Sequence, residues 1–208
     1  ISFVTSRVSK ADEDDWNKLK RLLNYIRGTI DLTLTLSADN LNIVKWWVDA
    51  AYAVREDFKS QTGASMSMGR GTIMNKSTKQ KLNTVSSTEA ELVALDATVR
   101  EFEYLEKIMN EFGLKVPTPC TVLEDNKSCI KLTEKTTDHQ RTKHIRLRYH
   151  YARELVKEGK VRMQHQHTDQ QPADLLTKQL GEFKQLLFRA YVLGLKKLPF
   201  TYRMNKQD

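Results

Sequence analysis

No stretch of the 208 residues approaches the ~18 consecutive apolar positions that a membrane-crossing helix needs. With 39% hydrophobic and 29% charged residues, the composition predicts a soluble globular protein. Cysteine is nearly missing: Cys120 and Cys129 make no metal-ligand spacing and read as small buried hydrophobes in a reducing compartment. A secretory leader is missing too, because Ile1-Ser2-Phe3-Val4 is too short for its apolar region. There is no initiator Met, so the chain reads as a piece of a longer intracellular product. Acids are scarce where bases are dense. From Arg141 to Arg162, eight Lys/Arg stand against two acids, a local charge of +6 in a chain whose net charge is +8, whereas the first forty residues balance. The pI near 9.4 points to a polyanionic partner. The length predicts one full domain plus an appendage.

What is present is organised around Thr84-Val85-Ser86-Ser87-Thr88-Glu89-Ala90-Glu91-Leu92, a polar run that turns abruptly apolar. Leu92, Leu95, Val99, Phe102, Leu105, Met109 and Phe112 then recur at the three-and-four spacing of one face of a long helix. Glu89, three residues before Leu92, heads that stripe as a candidate functional acid. A carboxylate aimed inward costs several kcal/mol unless a hydrogen bond or a cation meets it. Two readings stand side by side. Ser86 and Glu89 fit a capping box, but Thr88 and Glu91 fit one as well and leave Glu89 available for chemistry.

Upstream, Asp12-Glu13-Asp14-Asp15 opens a helix through Trp16 and Ile26 that stops at Gly28, and Leu32-Thr33-Leu34-Thr35-Leu36 alternates like a strand. The compact apolar run from Asn42 to Tyr52 predicts the first strand of a sheet, interrupted by Asp49. Lys59 to Gly63 reads as a loop, and Gly69-Arg70-Gly71 as the turn of a hairpin. Ser77 to Lys81 then reads as a polar link suited to phosphate contacts or simply to the surface. Cys120 to Asp125 predicts a strand followed by a short helix, which places Asp125 at the carboxyl edge where open α/β sheets bind ligands. Asp125-Asn126 serves equally as a helix cap. A further helix would carry a core stripe of Ile145, Tyr149, Ala152 and Val156, with Arg146, His150, Arg153 and Lys157 on another face, either solvated or tracking a nucleic-acid backbone. His165 and His167 share a strand face but have no third ligand nearby. Asp174 falls in the first turn of a helix begun by Pro172, an amphipathic helix spans Gly181 to Leu195, and a loose basic end follows.

Asp49, Glu89, Asp125 and Asp174 each have a dull explanation, yet each sits where a strand ends or a helix begins. Four converging carboxylates would repel one another unless divalent cations neutralised them. All-oxygen ligands with substrate phosphates suit Mg²⁺. Two such ions can drive in-line displacement at phosphorus, which is nuclease chemistry.

Five segments carry a resemblance to a family. They are Val48-Asp49-Ala50-Ala51-Tyr52-Ala53, Ser86-Ser87-Thr88-Glu89-Ala90-Glu91, Asp125-Asn126, Arg141-Thr142-Lys143-His144-Ile145 with Arg148-Tyr149-His150, and Ala173-Asp174-Leu175-Leu176-Thr177-Lys178. Together they resemble the ribonuclease H domain of copia-type retrotransposon reverse transcriptases. Arg7 to Lys10, Trp16 and Tyr25 to Thr29 resemble the segment that joins polymerase to ribonuclease H there. The resemblance implies a connection segment over residues 1–40, a ribonuclease H-like domain over 41–195 with a five-stranded mixed α/β sheet flanked by helices, and a basic, flexible tail over 196–208. It also implies an endoribonuclease that cuts the RNA strand of RNA–DNA hybrids with two Mg²⁺ ions, Mn²⁺ being an alternative. Asp49 would bridge both ions, Glu89 and Asp125 would hold one, and Asp174 the other. Lys79, Lys81, Ser86, Asn126, Arg141, Lys143, His144, Arg146 and Arg148 would contact the nucleic acid, largely through backbone and 2′-hydroxyl groups. The partners implied are the hybrid and the polymerase domain of the same polyprotein, with no membrane. The setting implied is a cytoplasmic virus-like particle or the nucleus.

There are departures. Ala51 stands where many relatives have a second Asp, and Gln164 stands where cellular ribonucleases H carry a mobile His, with His167 the nearest substitute. The rival readings are a catalytically idle module co-opted to bind nucleic acid or protein within a ribonucleoprotein, and an integrase-type nuclease. The second is disfavoured because its last acid is a Glu after the second Asp, whereas here the Glu precedes Asp125.

Overall fold

The computed structural model describes residues 2–39, 43–134 and 146–200, with the side chains of 146–149 outside the description. The chain divides into two compact units, residues 1–34 and 35–208. In the first, helix α1 (Glu13–Arg27) starts from a reciprocal cap: the Asp12 carboxylate accepts from Asp15 N–H, and the Asp15 carboxylate accepts from Asp12 N–H. Arg7 clamps both acids at 2.9 and 2.7 Å. Trp16, Leu23 and Ile26 on this helix are about half exposed.

The second unit is built on five strands, β1 (Lys45–Ala51), β2 (Gln61–Ser67), β3 (Met74–Lys79), β4 (Cys120–Glu124) and β5 (Val161–His165). Their order across the sheet is β3-β2-β1-β4-β5. The first three pair antiparallel and the last two join in parallel, which is the ribonuclease H-like mixed sheet that the resemblance implies. The helices are α2 (Ser87–Glu111), α3 (Lys127–Glu134), α4 (Arg146–Lys157) and α5 (Glu182–Val192). No helix among the described residues is long and apolar enough to cross a membrane.

Alternation along β1 sends Trp46, Val48 and Ala50 into one core with Val122, Leu95, Phe102 and Ala152, and sends Trp47 into a second with Leu123 and Ala173. Being covered on both sides, β1 is buried from end to end, as its near-continuous apolar run requires.

Several local expectations need correcting. Leu32 to Leu36 forms no strand; Leu34 and Leu36 are exposed, and only Ser37–Ala38 makes a two-residue ladder, against Gly69–Arg70. Gln61 to Gly63 belongs to β2, and Ser77 to Lys79 to β3, because each finds a ladder partner across the hairpin. Phe112 caps the end of α2 and is exposed rather than part of its stripe. Arg153 is buried, donating to Leu132 O at 3.0 Å, so it does not belong to a solvated basic face. Leu198, expected in a loose end, is buried against Trp47, Leu123 and Ala173, with Phe200 packed alongside.

Candidate active site

Parallel pairing of β1 with β4 runs only from Lys45 opposite Thr121 to Trp47 opposite Leu123. Beyond it the two carboxyl ends present Asp49 and Asp125, the crevice where a parallel sheet leaves room for a ligand. Gln171 ties the two strands together there, its amide donating to Val48 O at 2.9 Å and Leu123 O at 3.3 Å.

Glu91, not Glu89, completes the set. One oxygen from each of Asp49, Glu91 and Asp125 lies within 4.8 Å of the others. Glu89 has turned back to the chain: its Oε2 accepts from Val85 N–H at 2.6 Å while Ser86 Oγ accepts from Glu89 N–H at 3.2 Å. Ser86 thus caps the start of α2 as the first of the two readings has it, with Glu89 reaching back to Val85 N–H, and the second acid faces the crevice. The first turns of α2 are buried nearly all round, so an acid on either side of the stripe is drawn inward. The missed signal is angular. At about 100° per residue, Glu91 lies within roughly 40° of Leu95, Phe102 and Leu105 around the axis, and Glu89 roughly 120–160° away.

Asp174 arrives from the other side, on the 3-10 turn Pro172–Leu176 rather than on an α-helix. Lys178 Nζ stands 3.1 Å from Asp174 Oδ1 and 3.4 Å from Asp49 Oδ1. The Thr177 hydroxyl donates to Asp49 Oδ2, and the Thr168 hydroxyl donates to Asp125 Oδ2 at 2.7 Å. A further acid, Glu124, was not anticipated. It is fully buried on the face of β4 that carries Cys120 and Val122, with Oε1 accepting from Asn126 N–H at 3.0 Å and Oε2 unpartnered. An acid at an alternate position of an otherwise apolar strand was its only signature in the sequence.

Crowding sets the electrostatics. Burial, then the charges of Glu124, Asp49 and Asp125, push the Glu91 carboxyl well above the ordinary range. Burial does the same to Glu124. Asp49 is raised by burial against the pull of Lys178 and Thr177. Asp174 is raised to about 7 by burial and by the Asp49 charge. Burial works against the Lys178 ammonium, but the two aspartates hold its pKa above the usual value.

This donor set fits a hard divalent cation. Three carboxylates converge, all offering oxygen, and buried Glu91 Oε2 has no hydrogen-bond partner among the described residues. Neither His165 nor His167 joins it; His167 instead accepts from Asp169 N–H through Nδ1 at 3.2 Å.

Of the expected nucleic-acid contacts, Lys79 is exposed and paired with Asp57 at 2.6 Å, and Lys81 is exposed. Ser86 and Asn126 both act as helix caps. Arg141, Lys143 and His144 lie outside the described residues, as do the side chains of Arg146 and Arg148.

Gly63, opposite Asp49 in the ladder, is what lets the Asp174 turn dock. A Cβ there would stand 2.6 Å from Thr177 Cγ2 and 2.8 Å from Ala173 O. Gly63→Ala is expected to cost about 1–3 kcal/mol through overpacking and to weaken the Thr177–Asp49 bond. A fall in the urea midpoint at unchanged m-value would show it, and an unchanged midpoint would mean that the turn is not seated on Gly63.

Comparison with known proteins returns retrotransposon products. The chain is 34% identical over 186 residues to the retrovirus-related Pol polyprotein from transposon RE2 of Arabidopsis thaliana, covering 87% of this chain and 13% of that one. It is 34% identical over 179 residues to that from transposon TNT 1-94 of Nicotiana tabacum, covering 86% and 13%. The chain therefore spans 13% of the length of these relatives. No family model matches it. Among solved structures it is similar to ribonuclease H1 of Halobacterium salinarum NRC-1, with 18% identity and a TM-score of 0.48 over 64% of this chain and 93% of that one. It is also similar to LC11-RNase H1 in complex with an RNA/DNA hybrid, with 15% identity and a TM-score of 0.47 over 64% and 93%.

Proposed function

The chain belongs to the retrotransposon Pol polyproteins and carries a ribonuclease H-like domain, and from that premise we propose that it hydrolyses the RNA strand of RNA–DNA hybrids with two divalent cations. The observation that supports this most is the three-carboxylate cluster at the carboxyl ends of β1 and β4, with a buried Glu91 oxygen that has no hydrogen-bond partner among the described residues. Asp49, Glu91 and Asp125 would hold one Mg²⁺ or Mn²⁺, and Asp49 with Asp174 the other. Such ions activate water and stabilise the leaving oxygen at phosphorus.

The chain's own residues do the positioning. Thr177 orients Asp49 from the side opposite α2, with Lys178 paired to its other oxygen in the metal-free protein, Thr168 holds Asp125, and Gln171 ties the two strand ends together. The capped start of α2 brings Glu91 to the crevice from a rigid element. The hybrid would be held through its backbone and 2′-hydroxyls rather than its bases, and the polymerase of the same polyprotein would be the natural covalent neighbour.

The test incubates the chain with a labelled RNA–DNA hybrid and with the matching RNA and DNA duplexes, in Mg²⁺ or in EDTA. Only the RNA of the hybrid is expected to be cut, only with metal, and Asp49→Asn is expected to abolish cutting while hybrid binding persists. Cleavage that survives Asp49→Asn would overturn the assignment. Binding without any cleavage would leave a co-opted binding module.

A further inference from the structure

The Lys178 ammonium lies where a cation shared by Asp49 and Asp174 would be needed, 3.4 and 3.1 Å from their Oδ1 atoms. It is the side chain that neutralises this pair, since Asp49 is otherwise met only by the Thr177 hydroxyl among the described bonds. Among the described residues Glu91 Oε2 and Glu124 Oε2 have neither a hydrogen-bond donor nor an ion-pair partner, whereas Asp174 Oδ1, which also lacks a hydrogen-bond donor, is faced by the ammonium at 3.1 Å. The two halves of the site are therefore unequal: one is an open set of oxygens, the other is filled by a tethered positive charge.

We propose that Lys178 is a built-in competitor for the second cation, occupying the Asp49–Asp174 position in the metal-free protein and making uptake of that ion conditional on the lysine finding another anion. The inference rests on reading Asp49, Glu91, Asp125 and Asp174 as ion-binding residues. An ammonium and a divalent ion cannot share two oxygens at such range, because like charges a few ångströms apart repel and compete for the same lone pairs. Lysine suits this role because its charge is a compact point on a flexible four-carbon stem. The side chain is 38% exposed, so it can leave without breaking the core. Once displaced, its charge is best compensated by a backbone phosphate of bound nucleic acid. The first ion meets a Glu91 oxygen with no donor on it among the described residues and shares Asp49 with the Thr177 hydroxyl at Oδ2 and the ammonium at Oδ1, so it disturbs the lysine less than an ion that also needs Asp174. The second enters readily only when substrate offers the lysine a new partner, which links completion of the metal centre to occupancy by a polyanion.

Manganese binding, counted by electron paramagnetic resonance without nucleic acid, tests this in the wild type, Lys178→Gln and Asp49→Asn. The wild type is expected to bind one ion tightly and a second at least about tenfold more weakly. Lys178→Gln is expected to tighten the second ion by about tenfold and leave the first within about threefold. A thermal-unfolding arm separates competition from plain structural support: Lys178→Gln should melt below the wild type in EDTA yet gain more from saturating Mn²⁺. In a third arm, a DNA duplex of the hybrid's sequence should tighten the second ion in the wild type and not in Lys178→Gln. An unchanged or weakened second ion in Lys178→Gln overturns the competitor role alone. A wild type that binds no ion, or an Asp49→Asn chain that binds as the wild type does, overturns the metal reading beneath it.

Discussion

Glu91→Gln is expected to lower the rate of hybrid cleavage by about a thousandfold or more, while Glu89→Gln keeps it within about fivefold of the wild type. The two acids are two positions apart in the same buried helix start, yet their carboxylates have different work. Glu91 contributes one of three oxygens that lie within 4.8 Å of one another, and losing one anionic ligand of a catalytic ion removes several kcal/mol of charge stabilisation at phosphorus. Glu89 accepts from Val85 N–H, a bond that the amide oxygen of Gln can also accept, so the substitution costs at most about 1 kcal/mol of capping. Single-turnover cleavage of a labelled hybrid in saturating Mg²⁺, with thermal midpoints measured alongside, gives both numbers. If Glu89→Gln were the inactive variant and Glu91→Gln the active one, the geometry of the crevice would have to be abandoned.

The second large effect is on stability and runs against the usual direction for carboxylates. In EDTA the thermal midpoint is expected to fall by on the order of 5–10 °C as pH rises from about 4.5 to about 7.5, and saturating Mg²⁺ or Mn²⁺ at the upper pH is expected to reverse most of the fall. Asp174 titrates at about 7 in the folded chain against an ordinary 3.8, and Asp49, Glu91 and Glu124 are raised as well, all chiefly by burial. Between those values the folded protein holds protons that the unfolded chain has released. Stability is therefore fully present below the ordinary carboxylate range and is lost as pH climbs through the folded values. Asp57 and Asp169 are held low by Lys79 and Lys184 at the surface, and oppose the trend only weakly. Asp49→Asn, by removing one of the crowded charges, should flatten the slope and raise the midpoint in EDTA. A midpoint that climbs steadily across this interval without metal would show that the cluster carries no such strain.

Much of this was legible in the chain itself, and the exceptions share a cause. Asp125 could be read because a short apolar strand followed by Asn126 leaves little choice about where its side chain falls. Asp174 could be read because Pro172 marks a helical start, although only tertiary docking on Gly63 shows that the turn is 3-10 and faces β2. Glu89 looks inward by its distance from Leu92, but Glu91 lies nearer the centre of the whole stripe, and periodicity loses its meaning where a helix is covered on every side. Glu124 was invisible for the converse reason: alternation says which residues share a face, but not that an acid is tolerated there. Spacing alone places Arg153 among the surface cations, whereas it lies buried and donates to Leu132 O on the neighbouring helix. Long-range bonds such as Gln171 to Val48 and Leu123 have no local signature at all.

Leu198 and Phe200, seated on Trp47, Leu123 and Ala173, change where this module can be cut from a longer polypeptide. An excision ending at residue 195, three residues past the end of α5, would strip the cover from Trp47, Leu123 and Ala173, which are otherwise buried. A portable piece therefore runs at least five residues further, to Phe200, so that the apolar cluster beside the Asp174 turn keeps its cover.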